Sequence, residues 1–184
     1  MPDSRAPKTS GMTGGATATA TVDSVADRHR LRALLLFAPL VFVAHFLEEG
    51  PRFVEWFNSH VARGITPELF WTVNIFGLVI TVVVVAVEWL GESRESAALV
   101  VLWLSFLFFA NALLHITGAI ADRAYAPGVI TAALLYLPFY AVVIARILRA
   151  HRLPPGAVIA LAIVGSLPML LHGYLIIFRG SRLF

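Results

Sequence analysis

The sequence predicts an all-α fold, a polytopic integral membrane bundle of about five transmembrane helices. Three observations carry that prediction. The chain of 184 residues is 59% hydrophobic and only 14% charged, with a mean hydropathy of +0.82. Soluble domains carry about 45–50% apolar and about 25% charged residues, and a soluble monomer this apolar would expose patches that monomers avoid. Five apolar runs are long enough for a bilayer, which needs roughly 17–25 residues. None of the five alternates with period 2, so helices rather than a closed barrel satisfy their backbone groups in lipid.

Residues 1–27 are rich in Ser, Thr, Ala and Gly and lack apolar periodicity, which predicts a disordered tail. The tail has no apolar core of a signal peptide. The stretch Arg28, His29, Arg30, Leu31, Arg32 does resemble the basic start of one. No small-x-small cleavage site closes the first apolar run, so a retained span is expected over about residues 31–49. The next spans are expected over about 69–90, 97–120, 128–147 and 156–178, all within one membrane domain covering 28–184. Short polar turns, Gly91 to Glu95, Asp122 with Arg123, and Arg149 to Pro155, separate most of them and make neighbours antiparallel. Between the first two spans, Phe53, Trp56, Phe57 and Val61 recur at helical spacing among Arg52, Glu55, Asn58 and Arg63. That pattern fits a short helix lying in the interface, and fits a loop with an aromatic anchor equally well.

Composition also removes function classes. There are no cysteines, which excludes disulfides, thiolate metal sites and cysteine nucleophiles. The net charge is +3 and the pI about 9.8, supplied nearly all by arginine. No basic stripe with interleaved aromatics stands outside the spans, so the expected partner is the lipid bilayer and not nucleic acid. Arg28, Arg30, Arg32, Arg94, Arg146, Arg149 and Arg152 fall on one side, and Arg52, Arg63, Arg123, Arg179 and Arg182 on the other. This bias predicts a cytoplasmic N-terminus in the plasma membrane.

Ionisable groups at membrane depth carry the functional signal. His45, His115 and His172 fall inside spans, and Glu48 and Glu49 end the first one. An Asp, Lys or Arg at the bilayer centre costs roughly 2.5–3.5 kcal/mol on insertion scales, so groups of this kind need partners. The first, third and fifth spans run the same way and bring these residues, with Asn111, towards one membrane face. Asn74 and Thr131 enter from that face at comparable depth. His45, Glu48 and Glu49 lie three and four residues apart and project over about 100° of one helix face; Asn111 and His115 are also four apart. Imidazole and carboxylate suit Zn, Fe or Mn, and bundles host such sites between facing helices. Plainer roles fit too. His172 can be hydrogen-bonded to a neighbouring helix, and one of Glu48 and Glu49 can reach lipid headgroups. Glu88, beside Trp89, reads as interfacial, and Pro138 and Pro168 as helix kinks. His29, His60 and His151 lie outside the spans and suggest no chemistry.

The block His45-Phe46-Leu47-Glu48-Glu49 resembles the naming motif of the HXXEE family of small polytopic membrane proteins, whose function is recorded as unknown. Asn111-Ala112-Leu113-Leu114-His115 is similar to that family's Asn-x-x-x-His. Tyr125-Ala126-Pro127-Gly128-Val129-Ile130-Thr131 is similar to its Tyr-x-Pro-Gly-x-x-Thr. The three blocks stand in family order between about Val43 and Tyr140; the tail and the fifth span lie outside the resemblance, so His172 rests on depth alone. The resemblance implies a membrane fold with a shared polar site, adds Tyr125 to it, and implies no reaction.

The leading expectation is a metal-dependent membrane enzyme acting on a small lipophilic substrate. His45, Glu48, Glu49, His115 and His172 are the candidate ligands of one or two divalent ions, with Glu48 and Glu49 the candidate catalytic carboxylates. Asn74, Asn111, Tyr125 and Thr131 would orient ligands or touch substrate. A proton- or cation-coupled transporter is the first alternative, since buried ionisable groups mark such pathways. The polar residues of the other half, such as Ser105 and Ser166, form no evident path across. An accessory subunit without catalysis is the second.

Overall fold

The computed structural model describes residues 26–60 and 64–179, with side chains as far as residue 175. Most of the predicted tail, Val61 and Arg63 of the aromatic stretch, and Arg182 lie outside the described residues. The rest is helical, with no strand among the described residues. Five helices are long and apolar enough to cross a membrane.

Helix α1 spans Ala26–Glu49 and begins inside the stretch assigned to the tail. It turns at Leu36 and Phe37, just ahead of Pro39, which has no N–H to give the helix. Helix α2, Phe53–His60, settles the choice left open between the first two spans: the aromatic stretch is a short helix. Helix α3 spans Pro67–Gly91. Thr66 caps it by accepting from the Leu69 N–H, and Pro67 sits where a missing N–H costs nothing. Helix α4 spans Arg94–Asp122, opened by a reciprocal cap between Ser93 and Ser96. Helix α5 spans Val129–Arg149, and helix α6 spans Pro155–Arg179. These helices begin and end within a few residues of the five apolar runs, except at the start of α1.

Helix α4 is the central one: 61% of its most apolar stretch is buried, against 22–33% for the other four. It packs on α3, α5 and α6, while α1 packs on α3 and α5. Four helices thus form a ring in which α1 and α4 face one another, and α6 lies outside against α4. Helix α6 comes very close, since a Cβ on Gly165 would stand 2.5 Å from the Leu102 carbonyl oxygen. Small residues that admit backbone approach are the usual means of helix association in lipid. The core inside the ring is apolar, led by Leu31, Leu35, Phe42, Val101, Leu104, Phe108 and Tyr136.

Two π-helical turns interrupt the ring, Ser105–Ala110 in α4 and Ala132–Tyr136 in α5. Each wider turn rotates the helix beyond it, and such turns recur at functional sites. Phe108 and Tyr136, one from each, stack at 4.3 Å between ring centroids and 7° between planes. This stack is the floor of the polar site.

Candidate functional site

The site lies where α1 and α4 end and α5 begins. His45 and Glu49, one turn apart on α1, meet His115 from the last turns of α4. All three are buried, at 0%, 5% and 1% exposure. One ligand atom from each lies within 4.8 Å of the others. Glu49 Oε1 stands 2.8 Å from His115 Nε2 and 3.5 Å from His45 Nε2. The two imidazoles meet edge to face, 4.9 Å between centroids, and the Tyr136 ring covers His45 at 4.1 Å.

The contact between Glu49 and His115 is close but off the axis of a hydrogen bond. Neither ring nitrogen of His115 has a hydrogen-bond partner among the described residues. Buried polar atoms are nearly always satisfied, so such an orphan calls for an explanation. Two imidazoles and a carboxylate converging this closely could together hold a metal ion.

Glu48 turns elsewhere. Its carboxylate accepts from the backbone N–H groups of Ile130 (3.1 Å) and Thr131 (2.7 Å), from the Thr131 hydroxyl and from the Tyr125 hydroxyl (2.7 Å). It caps the N-terminus of α5, where unpaired N–H groups favour a negative charge. The cause is helical geometry: successive residues point about 100° apart, so Glu48 and Glu49 cannot both face His115. The ligand expected at Glu48 is thus replaced by a cap that ties α1 to α5.

That cap reaches back to the triad. Thr131 Oγ1 gives its one proton to Glu48 and stands 2.8 Å from His45 Nδ1, from which it must then accept. This fixes the proton of His45 on Nδ1 and leaves the lone pair on Nε2, the nitrogen facing Glu49. Asn111, also predicted, places its amide nitrogen 3.4 Å from the same Nε2.

His172 and Asn74 lie apart from the triad. Both line a cavity of about 530 Å³ that Glu49 and Asn111 also reach. The His172 ring stacks on Phe57 at 6.3 Å, and Asn74 donates to the Phe70 carbonyl at 3.0 Å. His172 approaches from α6, outside the ring of helices that encloses the triad, which is why depth alone did not bring it there. The remaining cavity wall is mostly aromatic and aliphatic, including Phe53 and Phe57 of α2.

Gly128 is a residue of this site that appeared in the sequence only as part of a motif. Its φ is +89°, a conformation L side chains rarely adopt. A Cβ there would lie 2.8 Å from Glu49, 2.9 Å from His45 and 3.0 Å from His115. Backbone at Gly128 therefore closes the triad from the α5 side, and only glycine fits. The Pro127-Gly128 pair was the available signal, since such pairs mark turns with special backbone angles. Tyr136, the aromatic cover of His45, gave no sequence signal at all.

A second buried ionic group stands at the opposite end of the bundle and corrects the interfacial reading of Glu88. Glu88 is 1% exposed and binds Arg152 Nη1 at 2.7 Å and Ser96 Oγ at 2.5 Å; Arg152 also donates to the Ser93 carbonyl at 2.6 Å. Nearby, Arg32 pairs with Glu92 and lies over the Trp89 ring.

Comparison with known proteins agrees with the motif blocks. No curated protein and no solved structure matches the chain. The family model described as a protein of unknown function with HXXEE motif matches residues 36–143, which hold His45, Glu49, His115, Gly128, Thr131 and Tyr136. That match covers more than half of the chain, and the chain belongs to the HXXEE family.

Proposed function

We propose that this protein is a metal-dependent membrane enzyme that acts on a small lipophilic substrate, with His45, Glu49 and His115 as the ligands of one divalent ion. The reading rests on one observation: three buried ligand atoms from distant parts of the chain converge within 4.8 Å, and the His115 ring nitrogens have no hydrogen-bond partner among the described residues. Two imidazoles and a carboxylate suit Zn and Fe, and three protein ligands leave a coordination position open for chemistry. When bound, such an ion supplies a water of lowered pKa, a Lewis acid for a carbonyl or, if iron, dioxygen chemistry.

The chain's own residues do the rest. Glu48, through Thr131, holds the His45 ring in the tautomer that presents Nε2 to the ion, and Tyr125 steadies Glu48. Glu49 is the ligand that also borders the cavity, so substrate arrives beside it. Asn111, Asn74 and His172 serve the substrate from the cavity wall. The arginine bias supports a cytoplasmic N-terminus, with this site at the opposite face of the membrane.

Elemental analysis of the detergent-solubilised protein tests the reading. About one equivalent of Zn, Fe or Mn per chain is expected, lost in His45→Ala and in His115→Ala while both stay helical. Wild-type protein that is metal-free and takes up none of the three ions would remove it.

A further inference from the structure

The cavity beside Glu49 carries its own specificity. Its α3 wall includes Leu69, Val73, Phe76 and Ile80, which are 48%, 60%, 64% and 41% exposed on the outside of the bundle. Side chains that line a cavity and also face the surroundings make its mouth open sideways, towards acyl chains. The far wall is Met169 and His172 of α6. Access therefore runs through the bilayer, between α3 and α6.

Polarity inside is one-ended. Glu49, Asn74, Asn111 and His172 belong to the end near the triad, while Trp103, Phe106 and Ile80 lie towards mid-membrane. Among the described residues no lysine or arginine lines the cavity. With no ion on the triad, an anionic head would meet the Glu49 carboxylate without a side-chain cation to offset it, and burying an unpaired charge is strongly unfavourable. A bound divalent ion would supply that cation, so the contrast is read in metal-free protein. The two amides suit an uncharged head. Asn74 uses one N–H on the Phe70 carbonyl and keeps a carbonyl and a second N–H. The Asn111 amide, 3.4 Å from His45 Nε2, keeps its carbonyl and turns its N–H to the head group when an ion takes that lone pair. That donor and acceptor pair matches a hydroxyl or carbonyl.

We infer that the site takes a neutral, single-headed lipophile, an alcohol or carbonyl compound, whose head lies at Asn111 and Glu49 and whose hydrocarbon part extends along α4 towards Trp103. At interior packing density the cavity of about 530 Å³ accommodates on the order of 20 non-hydrogen atoms. The eight residue steps from Trp103 to Asn111 cover about 12 Å of helix, the reach of an extended chain of roughly ten carbons. The inference rests on the reading that the triad is the reacting centre, because only that gives the head group a reason to sit there.

Tryptophan quenching tests it. Trp103 is kept as the sole fluorophore by Trp56→Phe, Trp71→Phe and Trp89→Phe in protein held in lipid nanodiscs. Terminally brominated undecanol, undecanoate and undecylamine are the probes. In protein stripped of metal by a chelator, saturable quenching by the alcohol is expected at a membrane concentration about tenfold below that of either charged probe. Asn111→Leu should abolish the saturable part. Val73→Phe, a change at the exposed mouth that leaves the core intact, should weaken it. Equal quenching by all three probes, stronger quenching by a charged one, or quenching that only tracks partition into lipid overturns the inference. Metal content measured on the same samples before stripping separates the two readings. Protein isolated without metal that binds the alcohol keeps the ligand class and loses the metal, whereas protein isolated with metal that binds none loses the ligand class.

Discussion

Two groups of ionisable side chains are buried at opposite ends of this bundle, and they differ in how their valences are used. The Glu88 carboxylate meets Arg152 through both of its oxygens and takes the Ser96 hydroxyl, and Arg152 gives a further donor to the Ser93 carbonyl. Nothing in that group points outward. At the other end, His115 keeps two ring nitrogens without hydrogen bonds among the described residues, and Glu49 borders an apolar cavity. Burial of charge is common to both, so burial does not mark function. The mark is donor capacity left over in a place open to a ligand.

The comparison can be broken most forcefully at the closed end. Arg152→Ala leaves Glu88 buried without a cation, and losing one partner of a buried pair typically costs about 3–5 kcal/mol. A large fall in melting temperature is expected by circular dichroism in detergent, with much of it recovered in Glu88→Gln combined with Arg152→Met. Unchanged melting of the single variant would mean that Arg152 reaches headgroups and the pair holds nothing together.

At the open end the effect should fall on binding and not on folding. Thr131→Val removes the hydroxyl between Glu48 and His45, and Glu48→Gln weakens the acceptor behind it. Loss of such orienting partners typically lowers metal affinity about 10–100-fold. Competition against a chelating dye would read this as weaker but still stoichiometric binding. If Glu48→Gln instead abolished binding as His115→Ala should, Glu48 would be a ligand and the relay would be wrong.

The smallest effect concerns the ion pair that tethers α2 over the site. Burial opposes a charge on His60, but Asp122 at 3.0 Å and the Trp56 carbonyl at 2.7 Å outweigh it and raise its pKa. A base that binds its proton more tightly when folded gives stability that is full below its unfolded pKa of about 6.5 and fades as pH rises through the folded value. The melting-temperature margin of wild type over His60→Gln should therefore be larger near about pH 6 than near about pH 8. A margin that grew with pH would reverse the assigned sign.

Much of the site was legible because depth is legible. Position along a span is set by counting residues, and counting placed His45, Glu49, Asn111 and His115 near one face. Azimuth is harder. Counting does not say which of two adjacent carboxylates faces inward, and here Glu49 does while Glu48 caps α5. It does not reveal the π turns at Ser105–Ala110 and Ala132–Tyr136, each of which re-aims the side chains beyond it. Nor does it show that α6 lies outside the ring, which sets His172 on the cavity wall and not in the triad. Glu88 looked interfacial because its partner, Arg152, stands 64 residues further along the chain.

The sequence by itself determined the solvent and the secondary structure: a chain this apolar, in runs this long, has lipid as its medium and helices as the only way to satisfy its backbone. It also determined which ionisable groups share a depth, because rise per residue is a local property. Only the tertiary structure decided which of them touch. That depends on how each helix is rotated and which neighbours it has, and both are set by packing between residues far apart in the chain, as Gly128 shows by fitting its bare backbone against three side chains at once.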